Sequence, residues 1–164
     1  MTALRPGIVC CKFTCSCLAV ILITGSVSYA NDATILVNAA SKAARMRVFH
    51  LPNGLLTTVA ATPSSLRESA TYRISLNRTT SPSEFRGLEA ALGQTLIEQN
   101  ARYVDVRWGC DLYSKQGRLL ASFFVDGGRI MGLPRSRYAV LNGRKVVIND
   151  SLWRWFESNF PSAE

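Results

Sequence analysis

The sequence predicts a single small α+β domain: an antiparallel sheet built of hairpins and a C-terminal meander, one long helix packed on a face, and a short C-terminal helix. Three observations predict it. Short alternating segments are separated by tight-turn pairs such as Asn53-Gly54 and Asn142-Gly143, and strands joined by tight turns pair antiparallel. A segment beginning at Pro82 carries apolar residues at three- and four-residue steps, the period of a helix. The chain ends in an aromatic segment, "SLWRWFESNF", suited to closing a core.

The elements come after a leader. Residues 1–30 have a basic start (Arg5, Lys12), an apolar block from Leu18 to Ile23, and Ser28-Tyr29-Ala30 at the end. This is a secretory pattern, with cleavage expected before Asn31. Lys12 interrupts any longer apolar run, and spanning a bilayer takes about 20 apolar residues. Removing 30 of 164 residues leaves 134, and the loss of two basic residues lowers the net charge from +8 to +6. A chain of that size buries about two-thirds of its unfolded surface and folds without a disulfide or metal. Four of the five cysteines (Cys10, Cys11, Cys15, Cys17) leave with the leader. Residues 31–45 read as an N-terminal arm or short helix, and residues 46–160 as the domain itself.

Within the domain, "MRVFHL" and "LLTTVAA" flank Asn53-Gly54 as a hairpin. Thr62 caps a short helix that opens at Pro63 and runs to Ser69. Residues 71–77 alternate as a strand. The long helix is expected over Pro82 to Gln99, with a Ser81/Glu84 capping box and Phe85, Leu88, Leu92 and Leu96 as its apolar stripe. Gly87 and Gly93 fall off that stripe and each costs about 1 kcal/mol against alanine, so the helix relies on docking. Residues 103–112 alternate, which places Val104, Val106, Trp108 and Cys110 on one face and Tyr103, Asp105, Arg107 and Gly109 on the other. "RLLASFFV" is apolar enough for a central strand covered on both faces. "RYAVL" and "KVVI" form a hairpin about Asn142-Gly143, and Asn149 or Asp150 caps the last helix, which docks through Leu152, Trp153, Phe156 and Phe160.

Little in the sequence carries chemistry. One histidine and one mature cysteine cannot build a structural zinc site. There is no G-x-S-x-G, phosphate-binding glycine loop or S-x-x-K, so no metal and no cofactor is expected. Asp105, Asp111 and Asp126 are carboxylate candidates by residue type alone. Cys110 on an apolar face reads as a buried thiol; the alternative is a secreted thiol hydrolase in which His50 activates Cys110.

Charge is more informative. Arg129, Arg135, Arg137, Arg144 and Lys145 fall on adjacent hairpins, and no carboxylate lies between Asp126 and Asp150. The spacing is expected to gather several of them at one end of the sheet as a binding patch. Nucleic acid is a poor partner for an exported chain. An acidic protein fits best, with an anionic membrane or a cell-wall polymer as further possibilities. The expected role is an exported, periplasmic or secreted binding protein, such as an inhibitor or toxin-immunity protein, that occludes its partner. The alternatives are the thiol hydrolase and an envelope component that binds anionic polymer.

Overall fold

A computed structural model describes residues 26–52, 60–101, 104–127 and 137–160, with backbone alone for 26–31 and 98–100. The order is α1 (Ser26–Lys42), β1 (Arg45–His50), α2 (Pro63–Ser69), β2 (Tyr72–Asn77), α3 (Pro82–Gly93), β3 (Ile97–Asn100), β4 (Val106–Tyr113), β5 (Leu119–Asp126), β6 (Tyr138–Leu141), β7 (Arg144–Ile148) and α4 (Ser151–Asn159). Among the described residues the strands form one seven-stranded sheet, in the order β2-β1-β4-β5-β6-β7-β3, with every neighbouring pair antiparallel. The α+β class read from the sequence is the class observed.

The sheet is covered unequally. Helices α1, α3 and α4 lie on one face, where Leu36, Ala40, Leu88, Leu92, Leu152 and Phe156 meet Met46, Val48, Cys110, Phe123, Leu141 and Ile148. The short α2 covers part of the other face and brings Leu66 against Phe49, Phe124 and Val140. β5 occupies the middle of the sheet, with Phe123 buried on one side and Phe124 on the other, as its unbroken apolar run predicts. Each such ring, fully buried, stabilises by about 1.5–3 kcal/mol.

Several local predictions hold at the atomic level. Thr62 caps α2: its hydroxyl accepts from Ser65 N, and Ser65 Oγ accepts from Thr62 N. The β6–β7 turn has φ of 47° at Asn142 and 85° at Gly143, the pair of positive values that a two-residue type I′ hairpin requires. Gly87 turns its bare backbone toward Trp155, where an added Cβ would stand 3.3 Å from the indole. Its helix-propensity cost is met by the close approach of α3 and α4, which Trp155 Nε1 reinforces by donating to Glu84 O.

Other elements differ from the sequence reading. α3 ends at Gly93, and 97–100 is an edge strand beside β7. The apolar period does continue to Leu96, but Leu96 is exposed. Thr95 closes the helix by donating to Ala91 O, and Asn149 holds the new course of the chain by donating to Gln94 O and accepting from Leu96 N. Asn149 thus fixes α3's exit rather than capping α4. Asp150 stands at the cap position without a side-chain cap bond. The Ser81/Glu84 capping box does not form either, and Glu84 accepts from Ser83 Oγ instead.

The Asn53-Gly54 turn lies outside the described residues. Both edges of β1 are taken, by β2 and β4. In β4, a register shift between Val106 and Trp108 breaks the alternation. Val104 and Val106 therefore pack on the α2 side, while Trp108 and Cys110 face the helical layer. Residues 31–42 belong to α1, which is helical from Ser26; its buried contacts include Leu36, Ala39 and Ala40. In α4, Trp155 is buried alongside the four residues expected. Among the described residues no helix is long and apolar enough to cross a membrane.

Candidate functional site

The sheet face that α2 leaves partly open carries a row of arginines. Strand alternation creates it. In "RMRVFH" the core takes Met46 and Val48, so Arg45, Arg47 and Phe49 turn to the opposite face. In β2, Ile74 and Leu76 pack toward the helical core, which turns Arg73 and Ser75 the same way as Arg47. Pairing aligns these rows: Arg45 lies opposite Tyr113, Arg47 opposite Asp111, and Phe49 opposite Gly109 on β4 and Arg73 on β2.

Tyr113 and Asp111 organise the surface. The Arg45 and Arg47 guanidinium carbons lie 5.1 and 5.8 Å from the Tyr113 ring centroid, within cation–π range. From α2, Arg67 donates to both oxygens of Asp111, Nε to Oδ2 at 2.9 Å and Nη2 to Oδ1 at 2.7 Å, and its guanidinium covers Phe124 at 4.7 Å. Asp111 is 2% exposed and also accepts from the Tyr113 hydroxyl at 3.3 Å. Gly109 makes the packing possible, because a Cβ there would fall 2.3 Å from the Phe124 ring.

The hydrogen bond to Asp111 raises the Arg67 pKa, against the opposing pull of burial. Burial first, then the charge of Asp111, raises the Tyr113 phenol; Arg47 and Arg67 pull it the other way. Both groups hold fixed charge states across the physiological range. Arg45, Arg47, Arg67 and Arg73 therefore share this face with one buried carboxylate, and only Arg67 binds it. Arg67 is neutralised by it; Arg47 is exposed, and no carboxylate of the described residues lies within ion-pair distance of it. Arg73 is also exposed and donates to the Glu68 carbonyl.

Three of the five hairpin cations lie among the described residues. Arg129 and Arg135 lie outside the described residues. Arg137 precedes β6 and flanks Ile148, whereas Arg144 opens β7 beside the turn, so the two stand at opposite ends of the hairpin, about 13 Å apart by strand rise. Arg137 Nε lies 3.8 Å from Asp150, and Arg144 Nη1 2.6 Å from Asp32 on α1. Lys145 is exposed and, by alternation, points to the sheet face opposite Arg144. Among the described residues, Arg137, Arg144 and Lys145 do not form one cluster.

Cys110 and His50 share the core face, but as diagonal neighbours: Cys110 lies opposite Val48, and His50 opposite Trp108. His50 stacks on Trp108. The Cys110 thiol is fully buried and pushed well above its usual pKa, by burial first and then by Asp111. Burial, then Arg107, lowers His50 to about 4. At neutral pH this is a thiol and a neutral imidazole, with no thiolate held for attack. The carboxylate candidates are engaged as well. Asp105 accepts from Arg107 and from Ala61 N, Asp111 is bound by Arg67, and Asp126 accepts from Asp105 N. No group of three metal-ligating side chains occurs among the described residues.

Sequence reasoning missed Arg45, Arg47, Arg67, Arg73 and Tyr113. Alternation in the first two strands places the arginines on one face of each, and that signal was available. Which strands lie side by side was not. Comparison with known proteins found no matching family model, no similar curated protein and no similar solved structure.

Proposed function

We propose that this chain is an exported binding protein that holds an acidic partner protein against the arginine face of β1 and β2, acting by occlusion of the partner. The leader-like residues 1–30 support export. The observation that carries the binding role is Arg47: exposed, seated against Tyr113, and without a carboxylate of its own among the described residues. Arginine beside an aromatic ring is the composition of an interface centre. A surface with excess positive charge speeds encounter with an acidic partner and suppresses basic ones.

The test is capture from an envelope or secreted fraction of the source cells, with the chain immobilised. The wild type retains an acidic protein and releases it near 0.3 M salt, where screening is short-ranged. The Arg47→Glu/Arg73→Glu double variant, changed at two exposed strand positions, loses it. Arg137→Glu, already engaged by Asp150, leaves it bound. Capture that is indifferent to Arg47 and Arg73 removes this face from the function.

A further inference from the structure

At the edge of the arginine face lies a groove of about 650 Å³. It forms where the α1–β1 junction, the end of β2 and the β4–β5 turn converge. Lys42, Arg45, Arg78, Thr79, Ser114 and Lys115 line it, and no carboxylate does among the described residues. We propose that this groove binds a terminal phosphate group. The inference goes beyond the protein-binding role and does not depend on it.

The four cations are not equivalent. Arg78 is committed to the fold: Nε donates to Ala43 O at 2.7 Å, Nη2 donates to Ala40 O, and Nη1 pairs with Glu89 at 2.8 Å. It satisfies the free carbonyls at the C-terminus of α1 and forms a fixed wall. Lys42 and Lys115 are exposed, and neither pairs with a carboxylate of the described residues. Arg45 is the informative residue. Its guanidinium lies against Tyr113, while its Nε is buried and meets no acceptor among the described residues. Buried donors are almost always satisfied, and a turn of the Arg45 side chain toward an anion in the groove would satisfy this one.

A phosphate supplies what this constellation lacks. Its tetrahedral oxygens accept from a planar guanidinium and from two ammonium groups at once, through short charge-assisted bonds. The hydroxyls of Thr79 and Ser114 add neutral donors on the same walls. A monovalent halide offers one centre and cannot bridge these groups. The groove is open and larger than a phosphate ion, so the phosphate can be free or the end of a phosphomonoester.

Isothermal titration of the full chain with inorganic phosphate, and separately with glycerol 3-phosphate, tests this against sodium chloride at matched ionic strength. Saturable binding of phosphate, weakened at least tenfold in Lys115→Gln and further in Lys42→Gln/Lys115→Gln, is the expected result. Both lysines are exposed, so these variants keep the fold, and circular dichroism checks that. Equal affinity for the ester assigns the groove to terminal phosphates on larger molecules; binding of the ion alone restricts it to free phosphate. Binding of neither, or affinity unchanged in both lysine variants, overturns the proposal. Arg73→Glu, four residues along β2 from the groove residue Asn77, should bind phosphate within twofold of the wild type, so failure of the groove and failure of the protein-binding face are read separately.

Discussion

His50 lies flat against Trp108, with ring centroids 3.7 Å apart and planes 14° from parallel. The strand register sets them side by side, and Trp108 stacks in turn on Phe156 at 5.2 Å. An imidazolium in this stack would lose its water and face Arg107, which is why the pKa falls from 6.5 to about 4. The consequence for stability has a definite sign. Between pH 6.5 and about 4 the unfolded chain binds a proton that the folded chain refuses, so stability is full above 6.5 and declines as pH drops through that window. The full shift corresponds to about 3 kcal/mol. His50→Phe keeps a stacked ring and removes the proton site. Urea unfolding at pH 7 and pH 5 should show the wild type losing about 2 kcal/mol more than His50→Phe over that interval. Equal losses would place the acid sensitivity elsewhere.

Cys110 is the other buried titratable group of that face. Its thiol is sealed beneath the helical layer and its pKa is raised, so thiolate is scarce and reagent access requires unfolding. At pH 7.5 a disulfide reagent should label Cys110 in the native chain at least ~100-fold more slowly than Cys110 in denaturant, in line with opening free energies of several kcal/mol for core elements. Rapid native labelling would return the thiol hydrolase reading to consideration. Cys110→Ser should be less stable than Cys110→Ala, by about 1 kcal/mol or more, because it buries a hydroxyl where no partner was provided.

The structure explains which features were legible in the sequence. Turn chemistry was: Asn142-Gly143 and the Thr62-Pro63 helix start depend on two or three adjacent residues, and both formed as read. The central position of β5 was legible because burial on both faces writes itself as an unbroken apolar run. α3's boundary was not. Leu96 keeps the helical period, and the signal that ends the helix comes from Asn149, more than fifty residues away. The β4 bulge is equally silent: its extra residue, Arg107, keeps the apolar/polar alternation of residues 104–108 intact, so nothing in the sequence marks the flip of Val106 to the other face. The arginine face failed to be seen for a related reason. Arg47, Asp111 and Tyr113 meet only through β1–β4 pairing across some sixty residues, whereas Arg137 and Arg144, close in sequence, are separated by the length of their own strands.

The Arg67–Asp111 pair is the strongest test of how that face is held. Asp111 is nearly sealed; its side chain is 3% exposed against 34% for Arg67. A carboxylate in that position cannot fall back on water, so removing its partner leaves an uncompensated buried charge. Arg67→Ala should therefore cost about 3–5 kcal/mol, well above the 0–1 kcal/mol of an ordinary surface bridge. Part of that loss is packing, because the guanidinium also covers Phe124; Arg67→Met keeps apolar cover and isolates the charge. The double variant Arg67→Met/Asp111→Leu should regain most of the stability, since replacing both members of a buried pair by apolar groups is often neutral or better. Urea unfolding of the two single variants and the double variant closes the cycle. A cost under about 1 kcal/mol for Arg67→Met would mean that solvent screens the pair, and Asp111 would then be free to draw on Arg47, cancelling the charge that the proposed binding face presents.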